Sequence, residues 1–214
     1  MLRTALLICG IVSSLLYVGA DILAAMRWEN YSYASQSISE LMAIGAPTRP
    51  LLVALFSVYN LLVIAFGYGV WAAAGSRRAL RVTGILLAVY GAAGYVGLLA
   101  TPVHLGEAVG SPANTLHIAL TAVIVLLLLL SFGLGALAFG QRFRLYSIAT
   151  ILIVLVFGAL AGQQAARLAQ HLPTPWMGVM ERINVYGSLL WVLMLAVALL
   201  RAEKGPASKR GSAA

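Results

Sequence analysis

Seven polar side chains in an otherwise hydrocarbon-like sequence have types and spacings suited to a binding site: Asp21, Glu40, Asn60, His117, Glu181, Arg182 and Asn184. A guanidinium such as that of Arg182, Arg49 or Arg167 holds a phosphate or carboxylate through paired, charge-assisted hydrogen bonds. Asp21, Glu40, His104, His117 and Glu181 are of the types that move protons or ligate a metal, and Ser35, Ser37 and Ser39 offer hydroxyl nucleophiles. Helical spacing groups many of them. Ser14, Tyr17 and Asp21 stand at i, i+3 and i+7, as do Asn114, His117 and Thr121, and again Glu181, Asn184 and Ser188, so each trio falls on one helix face. Ser57 with Asn60, and Gln163 with Arg167, form shorter stripes of the same kind. Two readings of these stripes stay open. They line a pocket for a lipid head group or small polar substrate, or they join helices by hydrogen bonds, with an Asp21–Arg182 or Glu181–Arg167 pair neutralising buried charge.

Several chemistries are disfavoured. The chain has no HExxH and no GxSxG, and its three histidines, His104, His117 and His171, lie in separate segments, so neither a metal site nor a bound cofactor is expected. Haem ligation needs histidines facing one another within spans, whereas His104 and His171 fall in links. The single Cys9 rules out an intrachain disulfide and a thiol relay. A net charge of +8 would suggest nucleic acid in a soluble protein, but here the arginines punctuate apolar runs and no nucleic-acid module accompanies them.

The elements that must position these groups are membrane spans. With 62% hydrophobic and only 9% charged residues among 214, and a mean hydropathy of +0.96, the chain is predicted to be an all-α polytopic membrane protein whose first partner is the lipid bilayer. Six spans are expected, at about 4–26, 51–74, 82–100, 114–140, 145–165 and 183–201, forming one domain over 1–201 with a disordered tail over 202–214. The first could be a cleaved signal peptide, but its apolar run continues to Met26, long enough to span. Small residues suit close helix packing at Gly84, Gly91, Gly94 and Gly97 in the third span, and at Gly158 and Gly162 in the fifth.

Charge counting orients the bundle. One side carries Arg3, Arg77, Arg78, Arg81, Arg142, Arg144, Arg201, Lys204, Lys209 and Arg210 against Glu203 alone. The other carries Arg27, Arg49, Arg167 and Arg182 against Asp21, Glu29, Glu40, Glu107 and Glu181. Basic short loops stay inside, so both termini are expected to be cytoplasmic in a multi-pass protein of the cell membrane. All three histidines then fall on the extracytoplasmic side.

The longest polar interruption, Arg27 to Pro50, is expected to be an extracytoplasmic loop over the bundle. Ser37-x-x-Glu40 fits a capping box that starts a short helix over 38–44, with Gly45 to end it and Pro47 to prevent its resumption. Leu41 and Ile44 would dock that helix, and Trp28, Tyr31 and Tyr33 suit a membrane-interface belt. Ser111-Pro112 and Thr174-Pro175 read as cap-and-proline helix starts, the latter opening the last helix.

The runs SQSISELMAIGAPTRPL and RINVYGSLLWVLMLAVALL, with six spans in this length, resemble the prokaryotic membrane family called domain of unknown function 998. The resemblance covers essentially the whole chain and implies a six-span membrane protein, with no activity attached. Three function classes follow from the residues themselves. The first is binding or transport of a lipid or small amphiphile at an outward-facing polar pocket. The second is an intramembrane hydrolase or transferase acting on a lipid at the extracytoplasmic face. The third is an accessory or assembly subunit, and the oligomeric state is left open.

Overall fold

The computed structural model describes residues 1–105, 110–170 and 172–203, so Glu107, His171 and the tail from Lys204, with Lys209 and Arg210, lie outside the described residues. Seven helices occur among those described: α1 Leu2–Arg27, α2 Ile38–Leu41, α3 Arg49–Ala73, α4 Arg78–Ala100, α5 Pro112–Ala136, α6 Gln141–Ala169 and α7 Met177–Glu203. All but α2 are long and apolar enough to cross a membrane. At 1.5 Å per residue even α4, with 23 residues, is about 34 Å long and matches the hydrocarbon layer. Leu15, Leu61, Leu126 and Leu152 each leave more than half of their surface exposed, which hydrocarbon tolerates and water penalises. The chain is a multi-pass membrane protein.

The six spans close into a ring in which α1 packs on α3, α3 on α4, α4 on α5, α5 on α6, α6 on α7, and α7 back on α1. Consecutive spans alternate direction, so every neighbouring pair is antiparallel. The closest approach is between α3 and α4. A Cβ added to Gly84 would lie 2.5 Å from the Trp71 nitrogen and 2.7 Å from the Gly67 carbonyl oxygen, contacts no real side chain makes. Gly91 meets the Asn60 carbonyl in the same way. The expected α6 packing face is only half realised: a Cβ on Gly158 would meet Asn184 Nδ2 at 3.0 Å, whereas nothing lies within 4 Å of one on Gly162.

The half of the ring nearer the termini is solidly apolar, built on Leu7, Phe66, Leu87, Phe132, Trp191 and Leu195. Trp191 is fully buried, and its Nε1–H donates to Ser147 Oγ at 2.9 Å, so the indole enters the core without an orphaned donor. At that end Glu203 pairs with Arg3 and accepts from Thr4 Oγ1 at 3.1 Å. The helix therefore runs through Ala202 and Glu203, where the sequence suggested the disordered tail begins.

The other end carries the 28–48 loop. The capping box forms in full: Ser37 Oγ accepts from Glu40 N–H at 3.2 Å, and Glu40 Oε2 accepts from Ser37 N–H at 2.7 Å. The helix it starts stops at Leu41 instead of Ile44. Beyond that point the backbone finds partners across the bundle: Ile44 N–H donates to the Val103 carbonyl at 2.8 Å and Leu105 N–H to the Ile44 carbonyl at 2.9 Å. Gly45, at φ 97°, then turns the chain in the left-handed region. Ile38 and Leu41 are the buried docking residues, and Ile44 is exposed. Thr48 does not cap α3; its hydroxyl donates to the Leu41 carbonyl at 2.7 Å and ties α2 to the next span. The last helix starts at Met177, two residues after the expected proline start. Ser37→Ala is expected to cost about 1 kcal/mol locally and to speed amide hydrogen exchange over 37–42 by roughly fivefold, measured by mass spectrometry in detergent.

Candidate functional site

Two polar constellations sit beneath the 28–48 loop, and between them they hold six of the seven expected site residues, all but Glu40. The first is a closed ion-pair network. Asp21 lies six residues from the end of α1 and Arg182 five residues into α7, each within about 9 Å of its helix end. Both are buried, Asp21 completely. Arg182 Nε donates to Asp21 Oδ2 at 2.9 Å and Nη2 to Oδ1 at 3.0 Å, a two-pronged pair. Nη2 also donates to Tyr31 Oη at 2.8 Å, and Nη1 faces the carbonyls of Tyr33 (2.9 Å), Gln36 (3.1 Å) and Gly178 (3.2 Å). The guanidinium stacks 3.6 Å from the Tyr33 ring centre. Tyr186 donates to Asp21 Oδ2 at 2.5 Å, and the Tyr33 hydroxyl lies 3.0 Å from that oxygen and 2.7 Å from Tyr186 Oη.

Every donor of Arg182 thus has a protein acceptor. Burial pushes the Tyr31 and Tyr33 hydroxyls above the ordinary phenol range, which keeps both protonated as donors. Tyr31 uses its proton on the Gln36 and Ser37 carbonyls at 3.0 and 2.8 Å. The network fastens the loop to α1 and α7, and Gly178 makes the contact possible, because a Cβ there would collide with the carbonyls of Gln36 and Tyr33. Val179 N–H, at the start of α7, donates to the Ala34 carbonyl at 3.1 Å and adds a further tie.

The second constellation is a cavity of about 220 Å³ beside this network, between α3, α4, α5 and α7. Asn60, His117, Glu181 and Asn184 all line it. Its mouth is polar, formed by Ser39, Arg49, Thr101 and His117, and its deeper lining is mostly apolar, with Leu120, Ile124 and Leu128 along α5 but also Asn60, Tyr59, Tyr90 and Ser188. Leu128 is sixteen residues into that helix, about 24 Å from its start, so the cavity reaches well into the membrane. On one wall Tyr17 stacks on Phe56 at 4.4 Å, and the hydroxyls of Tyr59 and Tyr90 meet at 2.7 Å.

The polar lining is held in place. His117 Nδ1 donates to the Thr101 carbonyl at 3.0 Å, which leaves Nε2 toward Ser39 Oγ at 3.4 Å. Glu181 Oε2 accepts from Ile38 N–H at 2.7 Å and so satisfies a first-turn donor of α2. Asn184 Nδ2 donates to the Val154 carbonyl of α6 at 3.0 Å, and Asn60 Nδ2 to the Phe56 carbonyl at 2.8 Å. The Asn60 side-chain oxygen rests against Gly94, where a Cβ would collide with it.

Of the seven residues expected to bind a ligand, Asn60, His117, Glu181 and Asn184 therefore share one cavity. Asp21 and Arg182 stand apart from it, occupied with each other and the loop, and Glu40 serves the capping box and lines a separate surface hollow with Ser35 and Pro173. The alternative Glu181–Arg167 pair does not form, since Arg167 is exposed and donates to the Pro173 carbonyl at 3.1 Å. Tyr31 and Tyr33, whose types suit a membrane-interface belt, also clamp Arg182. Tyr186 was not expected to take part, although Gly178, Arg182 and Tyr186 stand at intervals of four on one face of α7. The Thr101 carbonyl was not expected either, because a backbone acceptor leaves no mark in side-chain chemistry. Among the described residues no three His, Cys, Asp or Glu side chains group as a metal site.

A closed ring of six spans, with a loop pinned over a polar-mouthed cavity, defines a six-span integral membrane protein. Residues 11–198 match the family described as Protein of unknown function (DUF998), and the chain belongs to that family. No curated protein and no solved structure matches it.

Proposed function

We propose that this protein binds a lipid or other small amphiphile in the cavity beneath the 28–48 loop, polar end at the mouth and hydrocarbon part among the leucines and isoleucine of α5. The observation that carries this reading is one cavity that joins a charged and hydroxylated mouth to a mostly apolar lining with a few fixed polar groups, Asn60 and Ser188 among them. Arg49 supports an anionic or phosphorylated head. Its Nη1 donates to the Met42 carbonyl at 2.5 Å, while Nε and Nη2 have no acceptor among the described residues. A phosphate or carboxylate at the mouth would supply one.

The segregation of basic residues supports cytoplasmic termini and a cavity mouth on the extracytoplasmic side of the cell membrane. The 28–48 loop is then an outer lid, and the amphiphile belongs to the outer leaflet.

The test is extraction of co-purified lipid from the detergent-solubilised protein, identified by mass spectrometry. Wild-type protein is expected to retain one amphiphile class in near-stoichiometric amount. Arg49→Ala removes one charge-assisted contact and is expected to weaken retention about ten- to a hundredfold. Arg167→Ala, at an exposed site away from the cavity, should leave it unchanged. Wild-type protein that carries no amphiphile above the level of bulk detergent and lipid would sink the reading.

A further inference from the structure

The cavity mouth holds a hydroxyl and an imidazole in the relation of a nucleophile to its base. Several hydroxyls within the spans give a contrast. Thr121, Ser131, Ser147 and Ser188 each donate to the carbonyl one turn back on their own helix, the usual resting place of a hydroxyl in a membrane span. Ser39 has no such bond. Its Oγ faces His117 Nε2 at 3.4 Å, at the loose end of hydrogen-bond reach, as is common for nucleophile and base without substrate.

The imidazole is oriented for that role. Its Nδ1 lies 3.0 Å from the Thr101 carbonyl oxygen, which only accepts, so Nδ1 carries a proton and the neutral ring presents Nε2 as the acceptor toward Ser39. The orienting group that a carboxylate supplies in other arrangements is here a backbone carbonyl. Nucleophile and base come from different elements, α2 in the loop and α5 in the bundle, and meet at the mouth of a cavity whose mostly apolar lining suits an acyl chain. A structural tie is not what this contact adds, since the loop is already fastened by the Arg182 network, the Thr48 hydroxyl and the Glu181 cap.

We propose that Ser39 is an acyl-accepting nucleophile and His117 its general base, acting on an ester-linked acyl amphiphile held in the cavity. This rests on the binding reading above and names its substrate class. In the first step Ser39 Oγ bonds to the ester carbonyl carbon as its proton passes to His117 Nε2. The tetrahedral adduct then collapses with cleavage of the carbon–alkoxy bond, and Nε2 returns the proton to the departing alcohol, leaving acyl-Ser39. Water, giving a proton to Nε2, attacks the acyl carbon; the Ser39 Oγ–carbon bond breaks, the fatty acid leaves, and Oγ recovers its proton.

The experiment is covalent labelling of the full-length protein in detergent with a long-chain fluorophosphonate, followed by intact-mass and peptide mapping. One adduct is expected, on Ser39, and Ser39→Ala should abolish it. Ser35→Ala, at a neighbouring serine in the loop, should label as wild type. His117→Asn keeps a side-chain donor for the Thr101 carbonyl but has no basic nitrogen, and its labelling rate is expected to fall by about 100-fold or more. Co-purified amphiphile should persist in Ser39→Ala. Wild-type protein that retains its amphiphile yet forms no adduct, forms one at another serine, or labels equally fast as His117→Asn overturns the nucleophile while leaving the binding reading intact. Wild-type protein with neither amphiphile nor adduct overturns both.

Discussion

Asp21→Ala is expected to destabilise the protein by about 3–5 kcal/mol, a large part of the stability of an ordinary domain. The reason is the position of its partner. Arg182 is 3% exposed, and with the carboxylate gone its guanidinium stays charged in a site closed to water, holding only carbonyl and phenol acceptors. Thermal unfolding in detergent, followed by loss of monodisperse protein, measures the effect. The loop should respond too, because residues 33 and 36 are anchored through the same guanidinium, so limited proteolysis within 28–36 should quicken in the variant. Arg182→Lys keeps the charge but lacks the fork that reaches both carboxylate oxygens, Tyr31 and three carbonyls, and its expected loss is intermediate. Replacing both partners by leucine would rescue a simple ion pair; here recovery should be partial, since the carbonyls of Tyr33, Gln36 and Gly178 would keep no donor. An Asp21→Ala protein that melts within about 1 kcal/mol of wild type would show that the network is not what holds the loop.

Gly84→Val is expected to have an effect of similar size by a different cause. The added atoms meet main-chain atoms of α3 at Trp71 and Gly67, and main chain cannot rotate away as a side chain does. Separation of α3 from α4 by even an ångström opens the tightest seam of the ring, and overpacking of this kind costs about 1–3 kcal/mol where neighbours can yield and more where they are backbone. Most of the expressed protein should be lost to aggregation on size-exclusion chromatography. Gly162→Val is the matched control on a span surface with nothing within 4 Å, and it should elute as wild type.

Much of the architecture was legible because the bilayer imposes a simple rule: a run of some twenty apolar residues must be a helix, since its backbone has no other partners in hydrocarbon. The six spans and the capping box at Ser37 and Glu40 followed from local chemistry. The Asp21–Arg182 pair was one of two pairings that charge neutralisation allowed, and spacing alone did not choose between them. The choice is made by the ring, which sets α1 against α7 and leaves Arg167 at the exposed end of α6. Gly45 is a sound stop signal by its sequence, yet α2 ends three residues before Ile44, because Ile44 pairs its backbone with residues 103 and 105. The amphipathic character of Tyr31 and Tyr33 fits an interface belt and a guanidinium clamp equally well. The approach of His117 to Ser39 was beyond the sequence, because it depends on a backbone carbonyl and on how the loop folds back.

The order in which the chain is made gives the Arg182 network a further meaning. Asp21 enters the membrane with the first span, and its counter-ion follows 161 residues later, in the last. Throughout synthesis of the four spans between them, the carboxylate lacks the guanidinium it pairs with in the finished protein, and the loop lacks the anchor that α7 supplies. A chain halted before α7 therefore carries an uncompensated acid near the membrane surface, which hydrocarbon penalises by several kcal/mol at depth. Finished and unfinished copies differ in that pairing, so full anchoring of the loop waits on the last span.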